Sequence, residues 1–226
     1  MRLYYMTSTR WADVILKERR LKLSRFYESN DPFELMLIDS RPQDTRKIAI
    51  KIADYYNKNI GMICFSASWI SPVMWAHYAD KHAGVCFGFD VNDKLRTKVE
   101  YTDEKIAVPF GAHLPRFGLS AELLNKIVST KATDWSYERE HRVMGKLLTQ
   151  DPGTGLYYTA FGPQIQLREV IIGHRCTWTT ESTRMLIDKV EVSVRIWKVR
   201  PAFGKFEMVE QKQVRPVTLQ PAKRRT

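Results

Sequence analysis

From Gly61 to Asp90 the chain reads GMICFSASWISPVMWAHYADKHAGVCFGFD, and few other stretches are as sharply punctuated. Met62-Ile63-Cys64-Phe65 is apolar at every position, the pattern of a central strand buried on both faces. Ser71 is a natural N-cap, Pro72 suits the first helical position, and Gly84 fits just past a helix end. Together they predict a helix from Pro72 to about Ala83, with Trp75, Tyr78 and His82 on one side. Val85, Phe87 and Phe89 then alternate with Cys86, Gly88 and Asp90 as a second strand. Gly88 inside it implies close approach of a backbone or a ligand. Strand, capped helix, strand is the grammar around which the rest of the chain must fold.

The flanking sequence supplies the remaining elements. Leu3-Tyr4-Tyr5-Met6 is β-prone, and Thr7, Ser8 and Thr9 offer caps for a helix from about Arg10 to Glu18. Leu21 to Leu23 alternates as a short strand. Asn30-Asp31-Pro32-Phe33-Glu34 carries a helix-start signal: Asp31 as cap, Pro32 at the first turn, Glu34 reaching back. Ile48, Ala49, Ile52, Ala53 and Tyr56 mark an amphipathic helix. Val99 to Tyr101 reads as a strand, Pro109 to Gly118 as a loop, and Ala121 to Thr130 as a helix. Tyr137 to Met144 alternates as a strand that sets Glu138, Glu140 and Arg142 on one face. Leu156 to Tyr158, Leu167 to Ile172 and Val192 to Val199 are strands, the last able to pair with Phe206 to Val209. A helix capped by Thr179 or Thr180 precedes Val190. Short strands and helices in irregular order imply an α+β fold rather than a doubly wound one, with a mostly antiparallel or split central sheet. We expect one domain over residues 1–215 and a basic tail over 216–226.

Composition narrows the class. A hydrophobic fraction of 44% over 226 residues supports a full globular core. There is no apolar run of transmembrane length and no leader-like start, so a cytoplasmic protein without membrane association is expected. Cys64, Cys86 and Cys176 have no metal-ligand spacing and sit among strand-like residues, as buried reduced thiols do. The net charge is +11. From Arg195 onward, nine basic residues face only Glu207 and Glu210, which places most of that excess in one region. Such a concentration suits a polyanionic partner, nucleic acid above all, or a solubilising tail. Trp197, Phe203 and Phe206 lie within it, as strand packing or base stacking would place them.

Dinucleotide-fold, P-loop and zinc-enzyme signatures are absent from the sequence, and the histidines stand alone or at unsuitable spacing. What remains is a set of aromatic, hydroxyl and carboxylate groups. Tyr4, Tyr5 and Trp75 offer ring faces; Thr7, Ser66, Ser68 and Tyr78 offer hydroxyls; Asn30 and Asp31 add polar ligands. Arg10, Arg25 or Arg142 can hold a diphosphate. Glu138 and Glu140 can stabilise a developing oxocarbenium ion or accept a proton. Two other uses of the same residues stay open. One is a metal-dependent nuclease built on Asp31, Glu138 and Glu140; the other is a nucleotide- or nucleic-acid-binding sensor without turnover.

Leu3-Tyr4-Tyr5, Ile15-Leu16, Asn30-Asp31-Pro32-Phe33-Glu34, Trp75-Ala76-His77-Tyr78-Ala79 and Tyr137-Glu138-Arg139-Glu140-His141-Arg142 resemble an uncharacterised bacterial family, a domain of unknown function, over about Leu3 to Ile172. The order of elements is also similar to the ADP-ribosyltransferase superfamily, in particular its DarT-like enzymes that modify nucleic acid. Tyr4-Tyr5-Met6-Thr7 and Ile15-Leu16 fall where those enzymes hold NAD, although Tyr5 replaces a histidine. Ser66-Ala67-Ser68 echoes the serine-threonine-serine element of the arginine-modifying branch. This second resemblance implies NAD as substrate, no metal, Glu140 as the catalytic carboxylate and Glu138 or Arg142 as its support. It also implies a toxin or phage-defence setting, with an antitoxin or defence partner.

Overall fold

The computed structural model describes residues 1–107 and 119–221. The predicted loop from Pro109 to Gly118 therefore lies outside the described residues. In chain order the first elements are β1 (Arg2–Thr7), α1 (Thr9–Glu18), β2 (Arg20–Lys22), α2 (Gln43–Asn59) and β3 (Ile60–Ser66). Next come α3 (Pro72–Tyr78), β4 (Val85–Val91), β5 (Arg96–Lys98), β6 (Glu100–Tyr101), α4 (Ala121–Val128), β7 (Thr130–Lys131) and β8 (Glu140–Lys146). The chain finishes with β9 (Tyr158–Ala160), β10 (Ile165–Ile172), α5 (Thr180–Met185), β11 (Val194–Pro201), β12 (Met208–Glu210) and β13 (Val217–Leu219). The fold is α+β with a mixed sheet. No helix among the described residues is long and apolar enough to cross a membrane.

The chain divides into two compact units. The first holds residues 1–21, 65–95 and 159–226; the second holds 22–64 and 96–158. In the first, strands are ordered β12-β11-β10-β4-β1. β1 runs antiparallel to β4 in unbroken register from Arg2↔Asp90 to Thr7↔Val85, and Tyr4 also pairs with Ser66. β4 pairs antiparallel with β10 through an irregularity between Leu167 and Glu169, and β10 pairs in parallel with β11. Alternating Val, Ile and Phe side chains explain the core: Leu3, Phe87, Phe89, Val170, Ile171 and Ile196 are fully buried. Ser8 caps α1 by accepting the Trp11 N–H, and Ser71 caps α3 by accepting the Met74 N–H, as their positions predict.

Three expectations in this unit are corrected. α3 ends at Tyr78, five residues early, because Asp80, Lys81 and His82 take left-handed backbone angles. Gly84 is needed there for a different reason: a Cβ would collide with the Thr7 carbonyl. α5 likewise stops at Met185, short of Val190. Val217 to Leu219, assigned to a tail by composition, instead adds a strand antiparallel to β11.

In the second unit the strand order is β3-β8-β5, and β6 lies parallel to β7. Its core packs Phe26, Leu37, Ile52 of α2, Met62 of β3, Leu124 and Ile127 of α4. Two readings change here. Pro32 to Leu35 forms only a turn, with Leu35 in the left-handed region, so no helix starts at Asp31. Thr133 to Glu138 is a 3-10 helix and Arg139 is left-handed, so the predicted strand begins only at Glu140. Glu138 is therefore not a strand neighbour of Glu140.

Candidate functional site

The second unit buries five charged side chains in one cluster. Glu140 and Arg142 alternate on the same face of β8, as the sequence pattern requires, and Arg142 Nε donates to Glu140 Oε1 at 2.8 Å. The rest of the guanidinium is used as well. Nη1 and Nη2 donate to the two carboxylate oxygens of Glu34 at 2.6 and 2.9 Å, and Nη1 also donates to the Val128 carbonyl at 2.7 Å. Lys131, from β7, donates to Glu138 Oε2 at 2.6 Å and reaches Glu140 Oε2 at 3.5 Å. Its ammonium also sits 4.4 Å from the Trp135 ring centroid. Arg142 is fully enclosed, and the Glu140 side chain is 3% exposed. These five groups comprise three carboxylates and two cations.

Electrostatics fixes their protonation. Burial alone would raise the Glu140 carboxyl, but Arg142 and Lys131 outweigh it and hold the group down at about 2. Burial opposes the Arg142 charge too, yet Glu140 and Glu34 hold the guanidinium firmly charged. Lys131 is displaced upward: desolvation pulls it down, and Glu140 and Glu138 more than compensate. Glu34 behaves differently, because burial raises it despite its two bonds to Arg142. Tyr101, whose hydroxyl oxygen accepts the Glu140 N–H at 2.8 Å, is pushed by burial to about 12.

Cys64, on β3, opens this cluster to solvent. Its side chain is exposed, whereas Cys86 and Cys176 are buried, so the expectation of three buried thiols holds for only two. The thiol hydrogen-bonds to Glu140. Crowding by surrounding protein pushes it well above the usual thiol range, and the Glu140 charge adds to that. Solvent reaches the side chain nevertheless. A cleft of about 240 Å³ also reaches Lys131, lined by Phe33, Met36, Thr102 and Lys105 among others.

The remaining candidates of the second unit are dispersed in role. Asp31 is buried, and its Oδ1 accepts the Phe33 N–H at 2.9 Å, an Asx turn in place of the expected cap. Asn30 is exposed. Arg25 donates to the Tyr27 hydroxyl and lies over the Tyr27 and Tyr157 rings. Glu34, Cys64, Tyr101 and Lys131 were not named as site residues from sequence. Glu34 was legible only as a capping residue, and nothing local to Lys131 marks it.

In the first unit, Trp75 is corrected. It is wholly buried, and its Nε1–H donates to the Trp69 carbonyl at 2.6 Å, so it is a core residue with no ring face to offer. Ser66 is also buried, its hydroxyl bonded to the Ser68 carbonyl and accepting the Ser68 N–H. Thr7 is buried, Tyr4 and Tyr78 are half-buried, and Tyr5 packs edge-on against Phe65. Burial raises Tyr4 to about 12. Gly88 does meet a close neighbour, since a Cβ there would press on the Glu169 side chain.

Two of the five segments that carry the resemblance, Trp75 to Ala79 and Tyr137 to Arg142, fall inside one family match; Leu3 to Tyr5, Ile15-Leu16 and Asn30 to Glu34 lie outside it. A profile described as "Protein of unknown function (DUF2971)" matches residues 74–143. The resemblance to an uncharacterised family is real. It covers under a third of the chain, from Met74 in α3 to Val143 in β8, and so takes in Glu138, Glu140, Arg142 and Lys131 but not Glu34 or Cys64. No curated protein and no solved structure matches the chain.

Proposed function

We propose that this chain is an ADP-ribosyltransferase-like enzyme that consumes NAD and modifies nucleic acid, acting in the cytoplasm as a toxin or phage-defence effector. The observation that carries the proposal is the placement of Glu140. It is the first residue of β8, it is held ionised, and the side chain bonded to it, Cys64, is solvent-exposed. A fixed negative charge beside an accessible surface is what a reaction that develops positive charge on a ribose requires. When NAD is bound, loss of nicotinamide supplies that charge. Arg142 orients the carboxylate through Nε, and Lys131, at 3.5 Å, is the looser partner of its second oxygen. Of the expected NAD contacts, Arg25, Asn30 and Asp31 lie in the same unit as Glu140 and stay proposed ones; Trp75, wholly buried, is withdrawn.

Incubation with labelled NAD, with and without DNA or RNA, tests the reading. Turnover or label transfer that Glu140→Gln abolishes, in a variant whose circular dichroism matches the parent, supports it. Absence of NAD consumption, or turnover unchanged in Glu140→Gln, rejects it.

A second reading is favoured by a specific observation: Glu138, Glu140 and Arg142 are each almost wholly enclosed and bonded to other members of the cluster. A centre of that kind suits a rigid nucleotide-binding module without chemistry. Thermal shift by nucleotides with no product formed separates it from the enzyme.

A further inference from the structure

β11 and β12 form an antiparallel hairpin in the first unit, in register Val199↔Glu210, Arg200↔Val209 and Pro201↔Met208. Ala202 N–H donates to the Glu207 carbonyl at 2.9 Å and closes the loop, so the tip is Phe203-Gly204-Lys205-Phe206. The hairpin base is tied down by the Met208 N–H, which donates to the Ile70 carbonyl at 2.9 Å. On this anchored tip Phe203 and Phe206 are 95% and 98% exposed. Two phenylalanines left almost wholly in water forgo the burial that stabilises such side chains in a core, and nothing within the fold requires it. Arg200 lies 4.2 Å from the Phe203 ring centroid and holds that ring by a cation–π contact.

We propose that this tip is a stacking platform for single-stranded nucleic acid. Exposed aromatic rings interleaved with cations are the means by which unpaired bases are held without sequence preference: rings take the base faces, cations take the phosphates. Arg200 and Lys205 flank the rings, and Lys212 and Arg215 follow in the next turn, within a region whose acids are only Glu207 and Glu210. Arg195 is paired with Glu210, which leaves the flanking cations without that competitor. An anionic membrane is the poorer fit. The guanidinium over Phe203 would have to leave its ring or enter the acyl layer. A base instead completes an arginine–phenylalanine–base stack.

The inference deepens the nucleic-acid part of the function proposed above and rests on that part alone. It is measured without NAD. Fluorescence anisotropy with a labelled single strand of about 20 nucleotides should give tighter binding than with its duplex. Phe203→Ala and Phe206→Ala should each weaken the single strand about tenfold or more, while Phe203→Trp retains it. Lys205→Ala should lower the salt slope by roughly 0.7. Both rings are at the surface, so these variants fold. A Phe203→Ala/Phe206→Ala variant that binds the strand as the parent does overturns the proposal. So does ring-dependent binding to phosphatidylserine vesicles with ring-independent binding to the oligonucleotide. NAD consumption measured alongside keeps the two readings apart: ring-dependent binding without turnover leaves this inference standing and rejects the enzyme, and turnover without ring-dependent binding does the reverse.

Discussion

Arg142 and Glu34, 108 residues apart in the chain, meet through two hydrogen bonds of 2.6 and 2.9 Å with the guanidinium entirely enclosed. A bidentate pair at that depth fixes both position and orientation, because the planar fork matches the carboxylate in only one way. The same guanidinium orients Glu140 and takes the Val128 carbonyl at the end of α4. Arg142 thus ties the turn after Asp31, the helix end and β8 to one another.

Removing it should be costly. Arg142→Met leaves Glu34 buried without its cation and Glu140 with only Lys131 at 3.5 Å, and a broken buried pair costs about 3–5 kcal/mol. Arg142→Lys should recover little, since an ammonium cannot span both carboxylates in the same plane. Urea unfolding of the two variants measures this. A loss within experimental error for Arg142→Lys would show that the fork geometry carries no stability. Glu34→Leu combined with Arg142→Met should lose less than the separate losses added together, because neither charge then lacks its partner.

Stability should depend on acid through Glu140. Its carboxyl stands at about 2 in the folded chain against an ordinary 4.5, so the folded state favours the ionised form. The contribution is fully present above the ordinary value and is lost as pH falls toward the folded one. Glu34 runs the other way: its raised carboxyl makes the folded state gain as pH falls through the folded value to the ordinary one. Thermal unfolding between about pH 5 and pH 2 should therefore fall less steeply in Glu140→Gln and more steeply in Glu34→Gln. Identical slopes in the three proteins would contradict the assignment.

How much of this was legible follows from the range of each signal. Ser71 and Pro72 announce α3 because capping is local, and alternation along Val85 to Phe89 announces β4 for the same reason. The end of α3 was misread because its stop is made by tertiary contacts. The His82 and Gly84 carbonyls accept the Arg175 and Gly173 N–H groups at 3.0 Å each, holding the turn whose non-glycine residues are left-handed. Glu34 was misread more deeply. Read locally, Asp31-Pro32-Phe33-Glu34 is a helix start; in the fold its glutamate serves an arginine 108 positions away. Trp75 shows the converse error, an aromatic on a helix taken for a ligand contact when its burial is complete. Cys64 sits in an apolar run and gives no sign that its face of β3 opens beside Glu140.

Gly84 should tolerate no side chain. A Cβ would meet the Thr7 carbonyl and the Ala79 backbone, neither of which is a flexible side chain that can turn aside. Gly84→Ala should destabilise by at least the ~1–3 kcal/mol of an overpacked core, read as a shift in the denaturant midpoint. The comparison is Gly204→Ala, where nothing lies within 4 Å of the added atom and almost no change is expected.

Cys64 offers the most direct view of the proposed site. It is exposed while Cys86 and Cys176 are buried, so the native chain should take up one equivalent of iodoacetamide, and Cys64→Ser should take up none. The rate at neutral pH should be well below that of an ordinary thiol, because crowding and the Glu140 carboxylate both disfavour the thiolate. It should rise only as pH is taken above the usual thiol range. Glu140→Gln removes one of those two causes and should speed alkylation at fixed pH. If NAD reaches Glu140, it should slow the reaction at Cys64 in a dose-dependent way, read by intact mass. Alkylation indifferent to NAD at saturating concentration would place the ligand elsewhere and remove the observation on which the enzyme reading rests.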